Sequence, residues 1–227
     1  MHRDDDRVLG IMMKAPRPGW VKTRLATAHP TERIVALYRA LVEDTVDLAR
    51  AMRVSTVAVC PGGDEGDVAA WLPHDVAVLS QQGVGLAAGL RSAFAQLCSD
   101  SGRRVILFNA DSPHLAAGTV ESAFNALRTD DLVVGPCDDG GYYLVGAKRP
   151  YPALFDAAAM GRESACATLL AAAARLDLRV ALSAEHYDVD VPGDLTRLAA
   201  ELAREPARAR RTAALLASWG LDGAGSV

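Results

Sequence analysis

Short, continuously apolar runs alternate along this chain with longer segments whose apolar residues recur at helical spacing. That alternation restricts it, more than any other feature, to a mostly parallel sheet covered by helices. Val8 to Met13 (VLGIMM) is apolar throughout, as a strand buried on both faces requires. Thr31 to Met52 then sets Ile34, Leu37, Leu41, Thr45 and Leu48 on one stripe, with Thr31 as candidate cap. Val54 to Cys60 reads as a second strand stopped by Pro61-Gly62-Gly63, Val76 to Leu79 as a third, and Arg104 to Asn109 (RVILFN) as the strongest of all. Asp131 to Gly135, Tyr142 to Val145 and Arg179 to Leu182 supply the remaining strands. Helices are expected at Leu86 to Cys98, Ala117 to Leu127, Glu163 to Leu176, Pro192 to Ala203 and Ala207 to Trp219, ahead of a Gly-rich tail from Gly220. The class is α/β, a three-layer sandwich around a mostly parallel sheet. One domain over 1–227 is the economical reading, with its core at about 7–203 and a C-terminal helix at about 207–219.

Composition narrows the partners. Half of the 227 residues are hydrophobic, enough for a sizeable core, and 24 basic against 28 acidic residues give a net charge of −4. That balance opposes the basic footprint of a nucleic-acid binder. No apolar stretch approaches the ~20 residues of a membrane span, and Met1 to Arg7 is too charged for a signal peptide, so the expected location is cytoplasmic, without membrane contact. Cys60, Cys98, Cys137 and Cys166 form no CxxC pair and read as reduced, mostly buried thiols. A homodimer is compatible with the sequence.

In α/β folds of this kind ligands bind outside the carboxyl ends of strands, so chemistry is sought after Met13, Asn109 and Gly135. After the first strand, Lys14-Ala-Pro-Arg-Pro-Gly-Trp-Val-Lys-Thr-Arg-Leu25 puts Lys14, Arg17, Lys22 and Arg24 within eleven residues of a Pro- and Gly-shaped loop, beside the Thr23 hydroxyl. Four cations so placed suit a diphosphate, or else form a solvated basic loop; the pattern is neither a Walker A loop nor GxGxxG. After the central strand, Asn109-Ala-Asp-Ser-Pro-His114 offers Asp111 to a divalent cation, with capping as the plainer alternative. His114 is a candidate base or ligand there, against a hydrogen-bonded structural role.

Gly135-Pro-Cys-Asp-Asp-Gly-Gly-Tyr-Tyr143 contains adjacent carboxylates and two glycines. These either hold a sugar or acceptor hydroxyl or simply turn a hairpin. Strand alternation lets at most one of Tyr142 and Tyr143 line a pocket. In Asp188-Val-Asp-Val-Pro-Gly-Asp194 the first two acids share one side of an extended segment and offer a second contribution to a metal site, with helix capping again the alternative for one of the acids.

KAPRPGWVKTRL, NADSPHL, GPCDDGGYYLVG and YDVDVPGDL, in this order, resemble the bacterial glycosyltransferase-like family associated with arsenosugar biosynthesis, in the nucleotide-diphospho-sugar transferase superfamily of GT-A fold. The resemblance covers about residues 7–203. It implies a metal-dependent glycosyltransferase with a nucleotide-sugar donor, a small-molecule acceptor and Mg²⁺ or Mn²⁺. Lys14, Lys22 and Arg24 would hold the diphosphate; Asp111 and Asp190 would hold the metal. Asp139, Gly140 and Gly141 would line the sugar or acceptor pocket, with Asp139 or His114 acting on the acceptor hydroxyl. Arg17, Thr23 and Gly85 complete the expected nucleotide contacts. Two segments depart from the family's pattern: Leu86 stands where an acid is expected, and Met160-Gly-Arg-Glu-Ser164 is altered.

Phospholactate guanylyltransferases are also similar, through the Lys22-Thr-Arg-Leu25 loop, the Gly85 to Leu90 segment and an Asp followed by Pro after the central strand. They imply the alternative of nucleotidyl transfer from a nucleoside triphosphate to a small phosphorylated acid. A non-catalytic nucleotide-binding module is the third reading.

Overall fold

The structure, a computed structural model, describes residues 6–98, 102–158, 160 and 163–221. Seven strands form one sheet: β1 (Arg7–Met12), β2 (Ser55–Pro61), β3 (Ala77–Gln81), β4 (Arg104–Asn109), β5 (Leu132–Pro136), β6 (Tyr142–Ala147) and β7 (Val180–Leu182). Their order is β3-β2-β1-β4-β6-β5-β7. All pairings are parallel except the two made by β6, which is antiparallel to β4 and β5. A short turn returns the chain from β5 directly into β6, and a connection that short can join only antiparallel neighbours. The order reverses between β1 and β4, so a crevice opens at the carboxyl ends of those two strands.

Alternation along the strands builds a core on each face. Leu9 and Ile11 of β1 pack with Val42 and Val46 of α1 (Thr31–Ala51), Val68 of α2 (Glu65–Trp71) and Phe124 of α4 (Ala117–Ala126). Val8, with Val59 and Leu107, packs instead against Leu90 and Phe94 of α3 (Leu86–Leu97) and Leu169 of α5 (Ala165–Arg175). A third cluster joins the other flank of α1, through Ile34, Leu37 and Leu41, to α6 (Pro192–Arg204) and α7 (Arg210–Ser218). The buried Asp44 carboxylate of α1 accepts from the backbone N–H groups of Arg211 (3.1 Å) and Thr212 (2.8 Å), capping α7 from across the interface.

Several expectations change. Helix α2 lies in a stretch that carries no helical stripe of its own; Val68 is its one buried residue. Pro30, with no side-chain cap, precedes α1, so Thr31 is its first helical residue. The C-terminal helix starts later than expected: a 3-10 turn at Pro206–Arg208, opened by its proline, precedes α7. Residues 1–5 of the charged N-terminus and 222–227 of the Gly-rich tail lie outside the described residues. The four cysteines are buried and unpaired. Among the described residues no helix is long and apolar enough to cross a membrane.

Candidate functional site

A cavity of about 1580 Å³ lies at the carboxyl ends of the central strands. One wall is the loop after β1. Its backbone is tied down on both sides: the Lys14 N–H donates to the Tyr38 hydroxyl (2.8 Å), and the Ala15 N–H to Asp64 Oδ2 (2.9 Å). Lys14, Lys22, Thr23 and Arg24 all line the cavity. Arg17 does not. Its guanidinium pairs with Asp64 (2.7 Å) and Asp67 (2.6 Å) at the start of α2, contacts that anchor the loop.

Lys22 departs further from expectation. Its backbone is left-handed (φ 46°), rare for a residue with a side chain, and precedes a short 3-10 helix whose Leu25 is buried. The side chain is only 4% exposed, and its Nζ lies 2.8 Å from Asp111 Oδ1 and 2.8 Å from Asp190 Oδ1. Expected on the diphosphate, it instead bridges the two acids expected to hold the metal. Burial alone would depress the ammonium, but the Asp111 and Asp190 charges outweigh it and hold its pKa above the ordinary lysine value. Burial opposes ionisation of Asp190 too, yet Lys22 and Arg24 keep that carboxyl below its usual range. Arg24 lies 3.7 Å from Asp190 Oδ2 and is largely exposed.

The acids come together because two loops are stitched side by side. Val189 N–H donates to the Asp111 carbonyl (3.1 Å), and the Ser112 hydroxyl donates to the Tyr187 carbonyl (3.0 Å). Asn109 Nδ2 donates to Asp188 Oδ1 (2.7 Å), and the Ser112 hydroxyl, 2.8 Å from the same oxygen, shares its one proton between that carboxylate and the Tyr187 carbonyl. Burial, and then the nearby Asp111 charge, push the Asp188 carboxyl up to about 6 despite those hydrogen bonds. Asp188, Asn109 and Tyr38 also border the cavity, and of these Tyr38 carried no signal in the sequence. The same-side spacing of Asp188 and Asp190 was the one signal for Asp188. The expected capping falls to neither: Asp194 Oδ2 accepts from Asp190 N–H (2.8 Å) and Val191 N–H (2.7 Å) at the start of α6.

Hard carboxylate oxygens converging on one cation position fit Mg²⁺ or Mn²⁺. Among the described residues no group of three or more His, Cys, Asp and Glu side chains surrounds a single point. Asp111 and Asp190 would therefore supply two ligands, and substrate phosphate and water the rest, a usual arrangement for Mg²⁺.

His114 is not at this site. It is fully buried and stacks on Tyr187 (4.3 Å) and edge-on to His186 (4.5 Å), and neither ring nitrogen has a protein partner among the described residues. Burial, with His186 and nearby arginines, lowers its pKa to about 3. His114, a candidate base in the sequence, is thus a neutral, fully buried residue that does not line the cavity.

Another part of the wall is the β5–β6 turn. It is a hairpin: Gly140 N–H donates to the Cys137 carbonyl (3.1 Å), and Cys137 N–H to the Gly141 carbonyl (2.9 Å). Asp139 Oδ1 accepts from Gly141 N–H (2.8 Å), and both glycines and Asp139 line the cavity. Gly140 is obligatory here. Its φ is +84°, and a Cβ would stand 1.8 Å from the Glu163 carbonyl oxygen. Asp138 also borders the cavity, and its carboxylate pairs with Arg197 (2.6 Å). Tyr142 and Tyr143 both border the cavity, against the expectation of one, although Tyr143 buries its ring and donates to the Ala184 carbonyl (3.0 Å). Gly85, left-handed at φ 84°, precedes α3, whose first residue Leu86 is half-exposed in the cavity wall. Of the altered segment, Met160 and Glu163 line the cavity; residues 161 and 162 lie outside the described residues.

The family described as an uncharacterized protein conserved in bacteria (DUF2064) matches residues 45–162, a span that includes β4, Asp111 and the β5–β6 turn. The chain belongs to this family. No curated protein matches it. Among solved structures it is similar to a protein of Desulfovibrio desulfuricans G20 described as a "putative nucleotide-diphospho-sugar transferase", with 29% identity, 96% of each chain covered and a TM-score of 0.87. A homolog of Mycobacterium tuberculosis rv0371c from Mycobacterium sp. strain JC1 shares 20% identity over 88% of this chain and 98% of its own, with a TM-score of 0.55. A CMP:2-keto-3-deoxy-manno-octonic acid synthetase complexed with CTP shares 12% identity over 88% and 99%, again with a TM-score of 0.55. The last two show a common fold and nothing finer. The α/β architecture with a seven-stranded, mostly parallel sheet is thus that of nucleotide-diphospho-sugar transferase-like proteins.

Proposed function

We propose that this protein is a metal-dependent glycosyltransferase that uses a nucleotide-diphospho-sugar donor and a small-molecule acceptor. The observation that supports this most is the convergence of Asp111 and Asp190 on one cation position beside a basic loop, inside a cavity at the switch point of the sheet. When bound there, Mg²⁺ or Mn²⁺ supplies positive charge to the departing nucleoside diphosphate. Lys14 and Arg24 add fixed charge on the same side, and the Thr23 hydroxyl donates to a phosphate oxygen. Gly85 and Leu86, at the N-terminus of α3, border the same cavity, and a helix N-terminus favours a phosphate.

Asp139, in the same cavity, acts on the acceptor. Its Oδ1 is held by Gly141, which orients the carboxylate, and Oδ2 takes the proton of the acceptor hydroxyl. The acceptor oxygen then bonds to the anomeric carbon, and the electron pair of the broken carbon–oxygen bond leaves with the diphosphate. In this reading the helix-covered sheet is the three-layer GT-A sandwich implied by the motifs, formed by one domain working in the cytoplasm as monomer or homodimer. The association with arsenosugar biosynthesis rests on motif resemblance alone.

The crowding of three cations at one end of the cavity favours a second reading, nucleotidyl transfer, because a triphosphate carries more charge there than a diphosphate. Here a phosphorylated acid attacks the α-phosphorus and pyrophosphate leaves. Calorimetry with UDP- and GDP-sugars plus Mn²⁺ tests the first reading, and pyrophosphate release from GTP or CTP tests the second. Binding of a nucleotide-sugar, weakened at least tenfold in Asp111→Ala, is expected. Silence towards every nucleotide-sugar and triphosphate overturns both readings, and Asp111→Ala with unchanged affinity and metal dependence points to a non-catalytic binding module.

A further inference from the structure

Lys22 is the most constrained cation in the cavity, and the expected phosphate role does not account for where it sits. Its backbone is pinned between the tethered loop and the 3-10 turn anchored by Leu25, in a left-handed conformation that favours glycine. The chain accepts that conformation at a residue whose long side chain crosses to the opposite loops and is almost fully enclosed. There Nζ meets one oxygen of Asp111 and one of Asp190 at equal distances of 2.8 Å. These two carboxylates come from positions 79 residues apart in sequence and would repel each other without a cation between them.

We propose that Lys22 is an internal occupant of the metal position: in the absence of a divalent ion its ammonium holds Asp111 and Asp190 in their converged arrangement, and on loading with the ion and a nucleotide phosphate it exchanges onto the phosphate. This deepens the transferase reading above and shares its assignment of the two acids. The argument is one of geometry. A divalent ion needs its oxygen ligands at about 2.0–2.6 Å, so it would take the same carboxylate oxygens that Lys22 now engages, and two cations cannot share that space without strong repulsion. Lys22 lines the same cavity as Lys14 and Arg24, so the side chain has phosphate-binding space to enter while its backbone stays in place. Binding of ion and nucleotide then becomes synergistic, because the phosphate rewards the lysine for leaving the acids.

The test uses Mn²⁺ alone on the full chain, followed by free-ion electron paramagnetic resonance. Lys22→Gln is expected to bind Mn²⁺ at least tenfold more tightly than wild type without nucleotide, and to lose that advantage when a nucleoside diphosphate is present; Lys22→Arg stays close to wild type. Equal Mn²⁺ affinity in wild type and Lys22→Gln, without nucleotide, overturns the proposal. A second measurement needs no variant. Acetylation of wild-type lysines read by mass spectrometry should find Lys22 protected without metal and at least fivefold more reactive in saturating Mn²⁺, with Lys14 as internal reference. Unchanged Lys22 reactivity, or no Mn²⁺ binding at all, equally overturns it. Neither arm needs a sugar donor, so failure of the glycosyltransferase reading leaves these outcomes intact, and nucleotide binding with an unmoved Lys22 sinks the exchange alone.

Discussion

Acidification should unfold this protein through His114, and the structure allows the size of the effect to be worked out. The imidazole is fully buried with no protein partner for either nitrogen among the described residues, and burial lowers its pKa from the ordinary 6.5 to about 3. A folded-state value below the unfolded one means that the unfolded chain takes the proton first. The associated stability is complete above about pH 6.5 and drains away as the pH falls towards 3. Over that whole range it amounts to about 5 kcal/mol, and between pH 7 and pH 5 to about 2 kcal/mol. Urea unfolding of wild type and His114→Leu at pH 7, 6 and 5 isolates the term, because His186, which burial also lowers, is common to both proteins. Wild type should lose about 2 kcal/mol more than the variant between pH 7 and 5. Parallel losses in the two proteins, or an imidazole resonance of His114 titrating near 6.5, would refute the reasoning and restore His114 as an accessible base.

Gly140→Ala should cost about 3 kcal/mol, from about 1–2 kcal/mol of left-handed strain and at least about 1 kcal/mol of overpacking against the Glu163 backbone. For a chain of this size that is a fall in melting temperature of roughly 6–12 °C. Gly141→Ala meets mainly the rotatable Asp139 side chain, so calorimetry should show a much smaller fall; equal falls would mean that the Glu163 contact is easily relieved. Arg17→Ala should leave affinity for a nucleoside diphosphate within twofold, since Arg17 faces Asp64 and Asp67, whereas Arg24→Ala should weaken it severalfold. A larger loss on removing Arg17 than on removing Arg24 would put the anion on the other side of the loop.

Much of this protein was legible in one dimension. The continuous apolar character of VLGIMM, VSTVAVC and RVILFN specifies strands covered on both faces, and such strands need helices between them, so the α/β class follows from local sequence and the short reach of side chains. The loops that carry the site were legible for a related reason: polar residues directly after a buried strand sit at its carboxyl end wherever that strand lies in the sheet. Helix α2 was not, because a seven-residue helix with one buried side chain has no periodicity to read. What each charge does was decided only in three dimensions. Arg17 and Lys22 belong to the same basic loop, yet one faces α2 and the other reaches Asp111 and Asp190, because partners on distant segments compete for cations that sequence spacing treats alike. His114, three residues after Asp111, is buried against Tyr187 and His186, contacts that no local spacing announces. Local sequence sets which backbone forms and which residues reach a strand end; the free energy of pairing or burying a charge depends on neighbours that only the fold supplies.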